Sequence, residues 1–280
     1  MRYSILLLLT FSALTSAAGV LEVDLVFPQN TTYAPTEEIP FVFAIQNAQL
    51  ARYLNPRIEY TFRNPADYAT IQSGTYDLRW VNWLNTTLKH EPYYAYTFRG
   101  GMFNTSQTWY LVWSFQWDAC DAVGWEDKND ATPEMIFDEY KSSMYFTIGD
   151  SGKEVDMVSA TANRVSGDET CPDDSGVAIR VTDETMHPPH RVQWSGGDYT
   201  NNTCVVVENR TITPSPCAVE IPSAVAASMT ASNSAVLCNF LQTVNPPDDC
   251  PAEENAAGQM VVLGVSCFAA VLGGFLVLLL

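Results

Sequence analysis

Basic residues are scarce in this sequence: 14 Lys and Arg stand against 32 Asp and Glu in 280 residues, and the formal net charge is −18. A protein that binds nucleic acid needs Lys and Arg to neutralise phosphates and release their counterions. The sequence therefore predicts no nucleic-acid partner. An acidic chain in which 47% of the residues are hydrophobic is typical of an extracellular protein with a substantial buried core.

Catalytic motifs are missing as well. The chain has no G-x-S-x-G nucleophile elbow and only 3 His. Gly149-Asp150-Ser151-Gly152 resembles the nucleophile signature of chymotrypsin-like proteases, but Lys153 stands where those proteins have a second Gly. The one upstream His, His90, lies in Lys-His-Glu-Pro, without the block that supplies their general base. We interpret the segment as a turn between two strands and predict no catalytic residue.

Metal-binding patterns are also lacking. No two Cys stand at C-x-x-C spacing. The segment that begins at Asp127 has Thr132 where a calcium-binding EF-hand loop requires Gly. His187 and His190 are separated by Pro-Pro, whose extended backbone does not place two rings as a helix does. We therefore expect no metal ion and no cofactor.

Seven Cys are present, of which Cys267 lies in the apolar C-terminal tail. The remaining even number indicates disulfides in a secreted chain, here three, although the sequence does not choose among the pairings. We hypothesise that Cys238 pairs with Cys250, because Asn-Pro-Pro between them turns the chain back. Proximity favours two further pairs, Cys120–Cys171 and Cys204–Cys217.

Both ends of the chain carry targeting patterns. Residues 1–18 are predicted to be a secretory signal peptide, because Arg2 precedes an apolar core and a small-residue cleavage site. Residues 259–280 form an uncharged apolar tail with no Lys or Arg after it, which is typical of a GPI-attachment signal. Asn255 is the predicted attachment residue, with Ala256 and Gly258 as alternatives. The other interpretation keeps the tail as a single membrane span.

Strand patterns dominate the rest of the chain. In the segment 109–117, W-Y-L-V-W-S-F-Q-W, every odd position is apolar and the even positions become polar. Since side chains alternate across a strand, this is predicted to be a central strand with an aromatic inner face and Ser114 on the surface. Residues 39–45 are apolar on both faces and predict a second central strand. Residues 19–27 predict a half-exposed strand with Glu22 and Asp24 toward solvent.

Further alternating segments follow at short intervals without helical periodicity between them. They include an inward set that ends at Trp80 and a strand that contains Val155 and Met157. The predicted fold is all-β, an antiparallel, immunoglobulin-like β-sandwich. We divide the chain into a signal peptide (1–18), a sandwich ectodomain (19–212), a Ser/Thr/Pro/Ala-rich stalk with one short helix (213–258) and the hydrophobic tail (259–280).

Surface features of this ectodomain can also be predicted. Five N-x-S/T sequons predict glycosylated surface loops, at Asn30, Asn85, Asn104, Asn201 and Asn209. Exposed Trp beside carboxylates is the usual way to hold a sugar ring, through stacking and hydrogen bonds. The candidate ligand residues on this basis are Trp83, Trp125 and Trp194, although a place in the core, such as Trp125 beside a disulfide of Cys120, is the favoured interpretation.

Several segments together resemble a family of fungal secreted proteins of unknown function. They are V-L-E-V-D-L-V-F-P-Q-N-T-T-Y-A-P, I-P-F-V-F-A-I-Q-N, Y-D-L-R-W, W-S-F-Q-W-D-A-C and W-S-G-G-D, with the final pair of Cys before the tail. The resemblance covers nearly the whole mature chain. It implies a fungal cell-surface or wall-associated glycoprotein, commonly GPI-anchored, and supplies no activity and no catalytic residues.

These observations lead to a functional expectation. The protein is expected to be a structural or adhesive glycoprotein on the outer surface of the plasma membrane or in the cell wall. Its expected partners are the membrane, through a GPI anchor, and cell-wall polysaccharide. The first alternative is a carbohydrate-binding module that uses exposed Trp, and the second is a secreted enzyme that acts on glycans.

Overall fold

The computed structural model describes residues 18–83, 92–120, 135–162, 164, 172–187, 203–239 and 250. These residues form mostly β-structure with a few short helices. The strands are β1 (Gly19–Phe27), β2 (Thr32–Tyr33), β3 (Glu38–Gln46), β4 (Arg57–Asn64), β5 (Asp67–Asp77), β6 (Tyr93–Gly100), β7 (Gln107–Cys120), β8 (Met135–Ile148), β9 (Gly176–Met186) and β10 (Cys204–Ile212). The α-helices are α1 (Met157–Thr161) and α2 (Ser223–Leu237).

The strands hydrogen-bond into one open, mixed sheet in the order β2-β8-β7-β10-β9-β1-β3-β6, and β4 joins both β7 and β5. Most neighbours are antiparallel, but β10 runs parallel to β7 and β2 runs parallel to β8. The prediction of an all-antiparallel arrangement was therefore wrong. The coarser expectation, a largely β protein with disulfides, is confirmed.

The aromatic face of β7 is the centre of the core, as the alternating pattern predicted. Its inner side chains are almost completely buried, and they are Trp109, Leu111, Trp113, Phe115 and Trp117. Ser114 does point away from them, but it is buried too. The surface position predicted for Ser114 was wrong because β7 is flanked on both sides by β4 and β8, which place Glu59 and Lys141 directly beside it.

Strand β3 is central and buried on both faces, as predicted. The ring of Phe41 lies 4.9 Å from that of Phe62 on β4, and the ring of Phe43 lies 5.4 Å from that of Trp113 on β7. Strand β3 is hydrogen-bonded to neither β4 nor β7. These aromatic contacts therefore join parts of the sheet that lie far apart in strand order, and aromatic pairs at such distances add to the stability that burial gives.

Strand β1 differs from its predicted place. It lies between β9 and β3, and Asp24 is 0% exposed. The alternation of Glu22 and Asp24 with apolar residues suggested a solvent-facing side. Instead, a later part of the chain lies on this side, where Ser215, the residue before the 3-10 helix Pro216–Ala218, donates its backbone N–H to Glu22 Oε1.

Two further segments depart from the sequence prediction. Met157 begins helix α1 rather than a strand, because the carboxylate of Asp156 accepts hydrogen bonds from the backbone N–H groups of Val158 and Ser159 and caps the helix. Trp80 ends a 3-10 helix and is 65% exposed instead of inward. The turn predicted at residues 149–152 is present, with a hydrogen bond from Gly152 N to Gly149 O of 2.8 Å.

The disulfides only partly follow the hypothesis. Cys238 pairs with Cys250, as predicted, but Cys120 pairs with Cys204. Cys217 is also disulfide-bonded, and its partner is none of these four cysteines. Proximity along the sequence was misleading because the parallel neighbours β7 and β10 bring Cys120 and Cys204 together in space. The pairs Cys120–Cys171 and Cys204–Cys217 are therefore wrong.

By internal contacts the chain divides into two units, Met1–Ala226 and Ala227–Leu280. The first contains every described strand. The second contains most of the helix that the sequence predicted within residues 222–241, and also the Cys238–Cys250 disulfide. Among the described residues, no helix is both long and apolar enough to cross a lipid bilayer.

Candidate functional site

The face of β5, β4, β7 and β8 that points away from the core carries an exposed row of large side chains. Strand registers place Ile71 beside Arg63, Arg63 beside Tyr110, and Tyr110 beside Tyr145. We call these four residues the tyrosine row. With about 4.8 Å between neighbouring strands, the row extends over roughly 14 Å.

The rings of this row are in contact with each other and with a cation. Tyr110 and Tyr145 have ring centroids 4.7 Å apart at an interplanar angle of 36°. The guanidinium carbon of Arg63 lies 5.5 Å from the Tyr110 ring centroid. Tyr145 is 51% exposed, and Ile71 is equally open. Large apolar side chains are thus held at the surface by a rigid sheet instead of a loop.

A polar cluster lies on the same face, farther along β7 and β8. Glu139 accepts a hydrogen bond of 3.1 Å from Gln116 Nε2, and its carboxylate lies 2.6 Å from Lys141 Nζ. Burial acts to raise the pKa of Glu139, but the hydrogen bonds from Lys141, Gln116 and Ser114 outweigh it, so the pKa is lowered. Glu139 is therefore an ionised acceptor at neutral pH.

The formal charges of this face nearly cancel, although the whole chain is strongly acidic. The strand registers put three basic residues on it, Arg57, Arg63 and Lys141, and four acidic ones, Glu59, Asp77, Glu139 and the buried Asp118. Hydroxyl groups lie beside the tyrosine row, where Thr108 Oγ1 and Thr147 Oγ1 are 3.3 Å apart. The face thus offers aromatic surface next to uncharged and charge-balanced hydrogen-bonding groups.

A cleft of about 250 Å³ opens at the outer edge of β8. We call it the β8 cleft. Its rim combines the turn after β1 with the middle of β8 and the 3-10 helix Asp173–Ser175, and among its lining residues are Gln29, Asn30, Ser142, Ser143, Tyr145 and Ser175. The cleft adjoins the tyrosine row because Tyr145 belongs to both.

The most perturbed carboxyl group lies elsewhere and is closed off from solvent. Burial, followed by the charge of Glu22, raises the pKa of Asp24 well above its usual value, and a hydrogen bond from Gln46 Nε2 of 2.8 Å opposes the shift. Asp24 Oδ1 has no hydrogen-bond partner among the described residues. Because no substrate reaches a fully buried group, this acid belongs to the interior of the fold.

Of the tryptophans chosen from the sequence, the structure describes only Trp83, which does not belong to this site. Trp83 is only 5% exposed, and its ring packs edge-on against Tyr93 at 5.3 Å, so it cannot stack on a ligand. It was misassigned because it breaks the alternation of the strand pattern before it, a break that arises from the 3-10 helix at Leu78–Trp80. Trp125 and Trp194 lie outside the described residues.

The predicted sequons fall in different settings. Asn30 and Asn104 are exposed and lie between strands, as predicted. Asn209 lies within β10, so the prediction of a loop there was wrong. Asn85, Asn201 and the predicted GPI-attachment residue Asn255 lie outside the described residues.

Sequence reasoning missed Tyr110 and Tyr145. Each stands between two inward apolar residues, which is a signal for an outward aromatic. Their adjacency depends on the long-range register of β7 and β8.

In the part of the chain that the structure describes, no group of three or more His, Cys, Asp or Glu is arranged to hold a metal ion. No curated protein and no solved structure matches the chain. A family model does match, that of DUF7136, a domain of unknown function, and it covers residues 16–250. The chain therefore belongs to the DUF7136 family.

Proposed function

We propose that this protein is an adhesive cell-surface glycoprotein that binds polysaccharide through the tyrosine row. The observation that carries the proposal is the cross-strand contact of Tyr110 and Tyr145 on an exposed sheet face. A sugar ring presents polarised C–H groups on one face and hydroxyls at its edge. The negative face of an aromatic ring attracts the C–H groups, and nearby polar side chains take the hydroxyls.

The charges of the face support an uncharged polysaccharide as the ligand. A charged ligand would gain little electrostatic attraction from this face, because its basic and acidic residues nearly balance. Glu139 and Lys141 remain as charged hydrogen-bonding groups for sugar hydroxyls, and hydrogen bonds to charged groups are among the stronger ones. The row binds along its length, so a polymer gains more contact than a monosaccharide.

Location and architecture complete the proposal. The secretory signal, the GPI signal and the five sequons would deliver a glycoprotein to the outer face of the plasma membrane or to a fungal cell wall. Disulfides such as Cys120–Cys204 are compatible with that compartment. The contacts of β3 with β4 and β7 support a sandwich-like closure of the sheet.

Binding of the secreted protein to insoluble β-glucan, chitin and cellulose tests this function. Tyr145→Ala and Tyr110→Ala are each expected to weaken binding about tenfold, which corresponds to roughly 1.4 kcal/mol for one aromatic contact. The matched control is Trp80→Ala, since Trp80 is exposed but lies outside the row.

Retained binding in a Tyr110→Ala/Tyr145→Ala double variant would refute the proposal. Equal loss in Trp80→Ala would also count against it, because the effect would then reflect exposed aromatics in general. If the wild-type protein binds none of the three polysaccharides, a structural role without polysaccharide binding is favoured instead.

A further inference from the structure

The middle of β8 presents unpaired backbone groups to the β8 cleft. On one side β8 pairs with β7 along its whole length. On its other side β2 pairs only with Thr147 and Ile148. The remaining edge of β8 is therefore open among the described residues, and open strand edges offer N–H and C=O groups for pairing.

The directions of these groups follow from one observed hydrogen bond. Thr147 N donates to Thr31 O at 3.0 Å, on the side of β8 away from β7. In an antiparallel ladder, residues at intervals of two direct both N–H and C=O to the same side. Tyr145 and Ser143 therefore direct theirs away from β7, and both residues line the β8 cleft.

Asn30 is held at the rim of this cleft. The hydrogen bond that fixes Thr31 against Thr147 places its neighbour Asn30 beside the open edge, and Asn30 itself lines the cleft. The preceding residue is fixed as well, because Gln29 Nε2 donates to Ala160 O at 2.6 Å. Asn30 is exposed and begins the sequon Asn30-Thr31-Thr32.

We propose that the β8 cleft binds the first N-acetylglucosamine of an N-glycan attached to Asn30. The acetamido group of this sugar has one N–H and one C=O, like a peptide group, so it complements the open backbone of Ser143 and Tyr145 as an added strand would. The cleft, at about 250 Å³, lies just below the usual range for drug-sized ligands, about 300–1,000 Å³. A single sugar ring suits this size.

The bound sugar has a structural consequence that is independent of polysaccharide binding. It covers the open edge of β8, and an uncovered edge is a template for pairing with another chain. The sugar lies at the edge of the strand, whereas the Tyr145 ring packs on Tyr110 on the outward face. Glycosylation of Asn30 therefore protects the edge and leaves the tyrosine row available.

Amide hydrogen exchange on the full-length glycosylated protein tests the inference. Occupancy of Asn30 is first measured by peptide mass spectrometry. The amide that donates to the acetamido C=O, at Ser143 or Tyr145, is expected to exchange about tenfold more slowly in the wild type than in Asn30→Gln, since it gains a hydrogen bond. Thr32→Ser preserves the sequon and should retain the protection. Asn104→Gln removes another exposed sequon and should also retain it.

Unchanged exchange at Ser143 and Tyr145 in Asn30→Gln, or an unoccupied Asn30 in the wild type, overturns the inference. The amide of the buried Trp113 reports whether a variant has altered the whole fold. Free N,N′-diacetylchitobiose is then added to both proteins. It tests whether the wild-type cleft is already occupied, because a free sugar can enter only an empty cleft. Slower exchange of this cleft amide only in Asn30→Gln supports an occupied cleft in the wild type. Equal slowing in both proteins shows that the wild-type cleft is empty and overturns the assignment.

Discussion

Replacement of Asp24 by Asn should stabilise the protein by an amount that increases with pH. The carboxyl group is fully buried beside Glu22, and burial is the main reason that its pKa lies well above its ordinary value of 3.8. Asn has nearly the same shape, and its carbonyl oxygen can still accept the hydrogen bond from Gln46. The variant therefore removes the charge with little change in packing.

The sign and size follow from proton linkage. As the pH rises above about 3.8, the unfolded carboxyl loses its proton while the buried one keeps it, so the wild type loses stability relative to the unfolded chain. The difference between Asp24→Asn and wild type should grow by about 1.4 kcal/mol per pH unit. It becomes constant once the buried carboxyl also ionises, and it is smallest at acidic pH, where both states are protonated.

Denaturant unfolding at a series of pH values from acidic to neutral measures this difference. Asp77→Asn is the matched control with the opposite sign, because hydrogen bonding to Arg79 lowers the pKa of Asp77. That variant should lose stability above the unfolded pKa, and the loss should fade as the pH falls through the folded pKa. A pH-independent difference for Asp24→Asn, or one that shrinks as the pH rises, would refute the reasoning.

Three other predictions concern the scaffold. Trp113→Ala should lower the free energy of unfolding by about 3–5 kcal/mol, measured by denaturant unfolding, and wild-type stability would contradict its central place. Gly152→Ala should lower the melting temperature, because a Cβ there would lie 2.1 Å from the Tyr33 carbonyl carbon. Gly149→Ala is the control and should have a small effect, because the nearest atom to its Cβ would be 3.4 Å away. Equal effects of the two substitutions would contradict this reasoning. Removing Cys120–Cys204 should cost about 4–5 kcal/mol for its separation of 84 residues, and non-reducing peptide mapping checks the pairing.

The inner face of β7 could be predicted because it depends only on alternation within one strand. Asp24 could not be predicted, since local alternation says which side of β1 it is on but not what covers that side. The cover includes Ser215 and the 3-10 helix Pro216–Ala218 that follows it, a segment remote in sequence. Asp156 is a sequence signal for a helix N-terminus, because Asp is a favoured N-cap residue. The signal was overlooked because Val155 and Met157, apolar residues two apart, fit the alternation of a strand.

The tyrosine row illustrates the same limit for function. Tyr110 and Tyr145 could each have been placed on an outward face from the sequence alone, but their contact requires the register of β7 against β8. Trp residues near carboxylates were the sequence candidates for stacking on a sugar ring, and Trp83 belongs to the interior. Burial separates a ligand-binding aromatic from a core aromatic, and it is a property of tertiary structure.

The junction of β7 and β10 determines how the molecule would carry tension. These two strands share a single parallel residue pair, Val206 with Cys120, and the Cys120–Cys204 disulfide lies at the same point. A pull between a polymer held on β8 and the chain that leaves β10 passes through the long β7–β8 ladder and then reaches this junction. The few hydrogen bonds at this junction would break under such a force, whereas the covalent disulfide would hold. Reduction of this one disulfide should therefore turn a force-resistant attachment into a weak one.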